Sequence, residues 1–446
     1  VNVIIFDRIR QKEVHMKTLG PKNPKDRFDV YRFFNGLSAD AKEGLDKRYT
    51  RVPLVKTFLL EHVACRSNGH PKSPADIFSR LGAEITIIDD DFIGLTFDVL
   101  DKISQQSSRA MTGFLERYDE RFFAYYTCED SVDAKRRVAK WVQAPDLDYA
   151  WFSSFLLQVL WDQDVSKRGD ERFGKLVFRH ESIFDMPEDF SVTEECDENV
   201  IPENGNEEVA DNEEEINEDN IELERRKARF EMGDKIGRIQ KALSRLQENY
   251  DPLYVLHALR LPSRLGRGSH DLYQAGQVTN RSDSFEDHRN TVRYLYRIYK
   301  SILDFTEKSA WHEISSAQTL RVGLKGVPLI VKFAEPLSET TFNRWVQMAF
   351  QKRNRFKLWG DPIRLGPTKA HIYGADRHLW QPINLELTAN GIVAILPQGT
   401  CGNTFHRLVT NIQHYVCPKI QAWVGSESFE NVVGKWPANA EECNED

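Results

Sequence analysis

The chain has 446 residues, 40% hydrophobic and 11% aromatic, enough for two or three domains with their own cores, which excludes a disordered polypeptide. Lys and Arg number 60 against 68 Asp and Glu, a formal balance of −8, but 18 of the acids fall between Asp185 and Glu224, a tract with no Lys, Arg or His. Without that tract the balance is +10, and without Glu441, Glu442, Glu445 and Asp446 as well it is +14, so the body of the chain is mildly basic.

No apolar run of about 18 residues is present, which argues against a spanning helix and a membrane partner. The start, Val1 to Arg8, is too short in apolar residues for a secretion signal. It lacks an initiating Met, so a processed, truncated or partial chain is expected. Cys65, Cys128, Cys196, Cys401, Cys417 and Cys443 include no Cys-x-x-Cys pair, which points away from a disulfide framework or structural zinc. An intracellular protein, cytoplasmic or nuclear, is expected, with no metal and no cofactor.

Taken in order, residues 1–184 read as a mainly α-helical module. Ser73-Pro74 before Ala75-Asp76-Ile77-Phe78, closed by Gly82, predicts a capped helix. Apolar residues at helical spacing predict further helices over 53–66, 96–121, 132–142 and 146–163, with short β-like runs at 83–88 and 174–178. Residues 185–224 read as an acidic, disordered linker, because like charges and few large apolar groups cannot offset the entropy of ordering.

Residues 225–310 read as a basic helical module, with 17 Lys and Arg against 10 Asp and Glu. One helix is predicted from Ile221 to about Tyr250, and a second from Ser284 with Asp287 in a capping-box position. Residues 311–437 read as an α+β domain with a mostly antiparallel sheet. Its clearest element is a hairpin, Ile383 to Leu387 and Ile392 to Leu396, turning at Asn390-Gly391; helices are predicted from Ser338 and over Thr404–Val416. Residues 438–446 are an acidic tail. The fold expected is thus α+β and multidomain.

Basic ladders are the first functional candidates. Arg238, Lys241 and Arg245, and Arg289, Arg293 and Arg297, recur at helical spacing, as suits guanidinium contact with phosphates. The alternative is a solvated face, or one that binds the chain's own acidic tract. Lys352, Arg353, Arg355 and Lys357, interleaved with Phe356 and Trp359, suit a phosphodiester backbone with stacked bases; the alternative is a helix terminus whose cations complement its dipole.

Pro397 to Arg407 combines a strand, a glycine-containing turn and a helix N-terminus, a geometry that attracts anions. Cys401 there is a candidate nucleophile, with His406, His371, His378 or His414 as its base. The segment matches neither the phosphate loop nor Gly-x-Ser-x-Gly. Asp89-Asp90-Asp91 fits turn chemistry better than a cation site. Asp361, Asp376 and Glu386 would form a metal-dependent hydrolytic site only if they converged. The leading expectation is a regulatory or binding protein for DNA or RNA, modulated by the acidic linker. The alternatives are a hydrolase built on Cys401 and His406 or the carboxylates, and a scaffold for protein partners.

Overall fold

The computed structural model describes residues 20–21, 24–47, 53–62, 73–100, 107–168, 171–185, 227–265, 267–316, 322–350, 354–378 and 380–436. The chain divides into two compact units, Val1–Ala150 with Pro262–Tyr296, and Trp151–Leu261 with Arg297–Asp446.

The first unit begins with α1 (Arg27–Lys47), β1 (Lys56–His62), α2 (Pro74–Arg80), β2 (Glu84–Asp89), β3 (Phe92–Leu100), β4 (Ser107–Arg117), β5 (Phe122–Thr127), α3 (Ser131–Trp141) and β6 (Leu147–Tyr149). The chain then enters the second unit with α4 (Ser154–Arg168), β7 (Phe173–Glu181), β8 (Lys227–Lys235), α5 (Ile236–Leu246) and β9 (Leu256–Pro262). It returns to the first with β10 (Ser269–Tyr273), β11 (Gln277–Asn280) and the start of α6 (Phe285–Ala310). The second unit ends with β12 (Trp311–Ser316), β13 (Val322–Lys325), β14 (Leu329–Phe333), α7 (Glu339–Ala349), β15 (Leu358–Gly366), β16 (Lys369–Asp376), β17 (Gln381–Thr388), β18 (Gly391–Pro397), α8 (Asn403–Tyr415), β19 (Ile420–Val424), β20 (Glu427–Ser428) and α9 (Phe429–Gly434).

The first unit orders its strands β2-β3-β4-β5-β1-β11-β10, all antiparallel neighbours where registers are defined, with β6 beside β1. All seven residues of β1 are buried, as befits a central strand covered on both faces. An aromatic core fixes α1 and α6 on this sheet. Phe34 of α1 meets Phe114 of β4 edge-on at 5.7 Å and Phe285 of α6 at 4.9 Å. Trp141 of α3 closes the other end, 4.9 Å from Phe78 and 4.8 Å from Tyr125. Each such ring removed from water contributes about 1.5–3 kcal/mol.

In the second unit β7 lies between β8 and β9. A separate sheet runs β15-β16-β17-β18-β14-β19-β20, with β12 parallel to β18 and antiparallel to β13. Among the described residues no helix is long and apolar enough to cross a membrane.

The mainly helical reading of residues 1–184 is corrected. The fold is mixed α/β with two large antiparallel sheets, and most of the N-terminal elements are strands. Segment 53–66 holds β1, which is buried on both faces and so shows a continuous apolar run that imitates helical spacing, and 96–121 holds the end of β3 and all of β4, which pair with each other. The basic helical module over 225–310 is likewise corrected, since it carries four strands besides α5 and α6. The predicted helix 221–250 is β8 followed by α5, because β8 pairs with β7 along its whole length, from Phe173↔Lys235 to Glu181↔Lys227. Nearly all of the 185–224 tract lies outside the described residues; it joins the paired strands β7 and β8. The capping box at Ser73 and Asp76, the hairpin β17–β18 and helices α7 and α8 stand where their local signals put them.

Candidate nucleic-acid interface

Strand alternation separates the sheet of β15, β16 and β17 into two chemically different faces. The register pairs Trp359 with Ala375, Asp361 with Tyr373 and Ile363 with His371, and carries Tyr373 across to Asn384 and His371 across to Glu386. Residues paired directly across antiparallel strands share a face. The inner parity, including Leu358, Ala370, Ile372, Asp376, Ile383, Leu385 and Leu387, is buried. There Arg364 lies 5.3 Å from the Phe342 ring of α7, and Asp376 accepts hydrogen bonds from Thr404 and Arg407 of α8.

The outer parity is apolar where solvent would predict polar groups. Tyr373 is 68% exposed, Trp359 52% and Ile363 51%, with Leu365 and Trp380 exposed beside them. Single exposed apolar residues are ordinary; a run across adjacent strands marks a binding surface. Trp359 and Ile363 sit diagonally either side of Tyr373, at the roughly 7–8 Å expected of such neighbours.

The polar frame is uneven. At one end Glu386 accepts from Lys369 Nζ at 2.9 Å and is 3.1 Å from His371 Nε2, and Lys369 above all holds its carboxyl below the usual range. In the middle, Asp361 and Asn384 bracket Tyr373, and among the described residues neither side chain has a hydrogen-bond or ion-pair partner. At the other end Lys357 and Trp380 both hold left-handed backbone, with φ of 53°, and Arg377 N–H donates to the Lys357 carbonyl at 2.7 Å. Non-glycine residues pay strain for that conformation and cluster at ligand sites.

Gly374 seats β15 against β16, for a Cβ there would lie 2.2 Å from the Trp359 carbonyl oxygen. Gly374→Ala should therefore push β15 away, lowering stability by about 1–3 kcal/mol and shifting tryptophan emission, as a thermal melt followed by fluorescence would show.

The other sequence candidates fall elsewhere. Arg289 and Arg293 of α6 both grip buried Glu116 of β4, with closest contacts of 2.5 and 2.6 Å, so the expected phosphate ladder is an internal ion-pair network of the first unit. Arg297 is exposed on the part of α6 in the second unit. Arg238, Lys241 and Arg245 share the exposed face of α5, where Arg238 is 3.5 Å from Asp234. Lys352 and Arg353 lie outside the described residues. Arg355 is half-buried over the Tyr415 ring at 5.3 Å, and Lys357 and Trp359 border the outer face.

The anion-attracting turn before α8 is filled by the chain itself: Gly402 N–H donates to the buried Glu307 carboxylate at 2.8 Å. Cys401 is buried, and His406 is fully buried against Tyr299 and Phe429 at 5.3 and 5.2 Å, an environment that suits core packing. Asp361 and Asp376 lie on opposite faces of one sheet, so the three carboxylates do not converge. Asp89 pairs with Arg27 at 2.6 Å and caps its own turn through Asp91 N–H. Tyr373, Ile363, Leu365, Lys369 and Trp380 are not legible as a site in the sequence, and His371 stands out there only as a possible base for Cys401. Their signal, apolar residues at both parities of one hairpin, needs the register to be read.

A family model described as MJECL33-like protein matches residues 31–430. The uncharacterized protein MJECL33 of Methanocaldococcus jannaschii is 29% identical over 143 residues, 32% of this chain. That match spans only 33% of the relative's length. No solved structure matches the chain. With the family model covering most of its length, the chain belongs to the MJECL33-like protein family.

Proposed function

We propose that this protein binds single-stranded nucleic acid on the outer face of β15, β16 and β17. The observation that carries the reading is the exposed diagonal of Trp359, Tyr373 and Ile363 on one parity of an otherwise well-packed sheet. Unpaired bases present an apolar face to aromatic rings, and a sheet spaces such rings for successive bases. Lys369 and His371 at one end share Glu386, and Lys357 borders the face at the other, so charge contributes little to this reading. Arg289 and Arg293 take no part in this reading, because Glu116 neutralises them.

Lys369 and His371 are already paired with Glu386, so stacking rather than charge should dominate affinity, and its salt dependence should be shallow. With a fluorescein-labelled dT12 probe, Trp359→Ala and Tyr373→Ala should each weaken binding by about 1–3 kcal/mol by anisotropy. Failure of dT12 and U12 to bind the full chain at low salt would overturn the proposal. So would binding that neither substitution weakens.

A further inference from the structure

The middle of the outer face has a chemistry that stacking alone does not use. Tyr373 is the most exposed aromatic ring there, and it stands between Asp361 on β15 and Asn384 on β17, directly opposite it on either side. Elsewhere on the face the acid is already employed: Glu386 is committed to Lys369 and His371. Asp361 is exposed and Asn384 half-buried, and among the described residues neither side chain has a hydrogen-bond or ion-pair partner. An acid left unpaired beside an exposed ring is unfavourable for a polyanion unless it accepts hydrogen bonds from the ligand.

We infer that a base stacked on Tyr373 is selected as guanine by Asp361 and Asn384. An ionised carboxylate is acceptor-only and offers two oxygens side by side. Guanine alone among the common bases presents two adjacent donors, N1–H and N2–H2, on its pairing edge. Adenine and cytosine place a ring-nitrogen acceptor beside one amino donor, and thymine or uracil flanks a single N–H with two carbonyls, so each would set an acceptor against the carboxylate. With guanine's donor edge toward Asp361, its N7 and O6 acceptors face the other side of the ring. There the Asn384 amide N–H2 can donate to them. The two flanking strands would thus read opposite edges of one base while Tyr373 carries its face.

This inference rests on the nucleic-acid reading above, and the test separates the two. The full chain is titrated with labelled dT12 carrying one central dG, deoxyinosine or dA. The wild type should bind the dG probe about 5- to 100-fold more tightly than the dA probe, the range a good two-point base contact gives. Deoxyinosine, which keeps N1–H but lacks the 2-amino group, should fall between them. Asp361→Asn should bring the dG to dA ratio to within about twofold, and Asn384→Ala should reduce it in part. Thermal melts confirm that both variants are folded, and the ratio is insensitive to the active fraction. Equal binding of dG and dA probes by the wild type would overturn guanine selection while leaving the stacking surface intact. A dG preference that survives Asp361→Asn would overturn the role given to Asp361, and no binding of any probe would overturn both proposals.

Discussion

Arg407→Met should destabilise the second unit by about 3–5 kcal/mol, the range expected when one partner of a buried ion pair is removed. Arg407 is fully buried on α8 and donates to Asp376 at 2.5 Å and to the Phe356 carbonyl at 2.9 Å. Asp376 is buried at the end of β16, where Thr404 and the His378 N–H also donate to it. Methionine would keep most of the volume but leave a carboxylate in the interior without its counter-charge. Adding Asp376→Asn should recover part of the loss, because no ionised group then remains buried. Urea unfolding, with hydrogen exchange of β16 and α8 amides to localise the effect, checks both. A single variant within about 1 kcal/mol of the wild type would refute the account. The pair matters for the candidate site because it anchors the inner side of the sheet whose outer side carries Tyr373.

How much of this was legible in the sequence depended on how far each signal reaches along the chain. The Ser73 cap, the turn at Asn390-Gly391 and the start of α6 at Ser284 are decided within a few residues, and local reading located them. β1 reads as a helix because burial on both faces of a sheet removes the alternation that identifies a strand, and β3 and β4 are fixed by pairing with each other rather than by a local signal. β8 was misread because its partner, β7, comes before the long acidic tract. The arginines of α6 looked like a phosphate ladder until Glu116, 173 residues away from Arg289, was brought beneath them. Gly402 looked like an anion seat until Glu307, 95 residues away, was brought into it. Trp359 could be singled out for its basic and aromatic neighbours. Tyr373 could not, because its importance lies in facing Asp361 and Asn384 across two strand pairings.

Replacing Glu116 by Gln should cost the first unit about 2–4 kcal/mol at neutral pH, slightly discounted from a fully buried pair because Arg293 is 41% exposed. Glu116 accepts from Arg289 at 2.5 and 3.2 Å, from Arg293 at 2.6 Å and from the Tyr126 hydroxyl at 2.7 Å. Burial alone would raise its pKa, but the two guanidinium groups outweigh that and hold it below the ordinary carboxylate value. The same buried charge, after burial itself, helps push the nearby Tyr31 hydroxyl up to about 12. A carboxylate whose folded-state pKa is depressed stabilises the fold fully above its unfolded value, near 4.5. That contribution is lost as pH falls through the folded value, when Glu116 takes up a proton and both arginines lose their partner. Glutamine cannot titrate, so the stability gap between wild type and Glu116→Gln should be constant from pH 7 to about 5 and narrow below 4.5. Hydrogen exchange of β4 and β5 amides across that range would measure it. A gap that stays constant into acid would mean that another carboxylate, not Glu116, governs the acid limb of this unit.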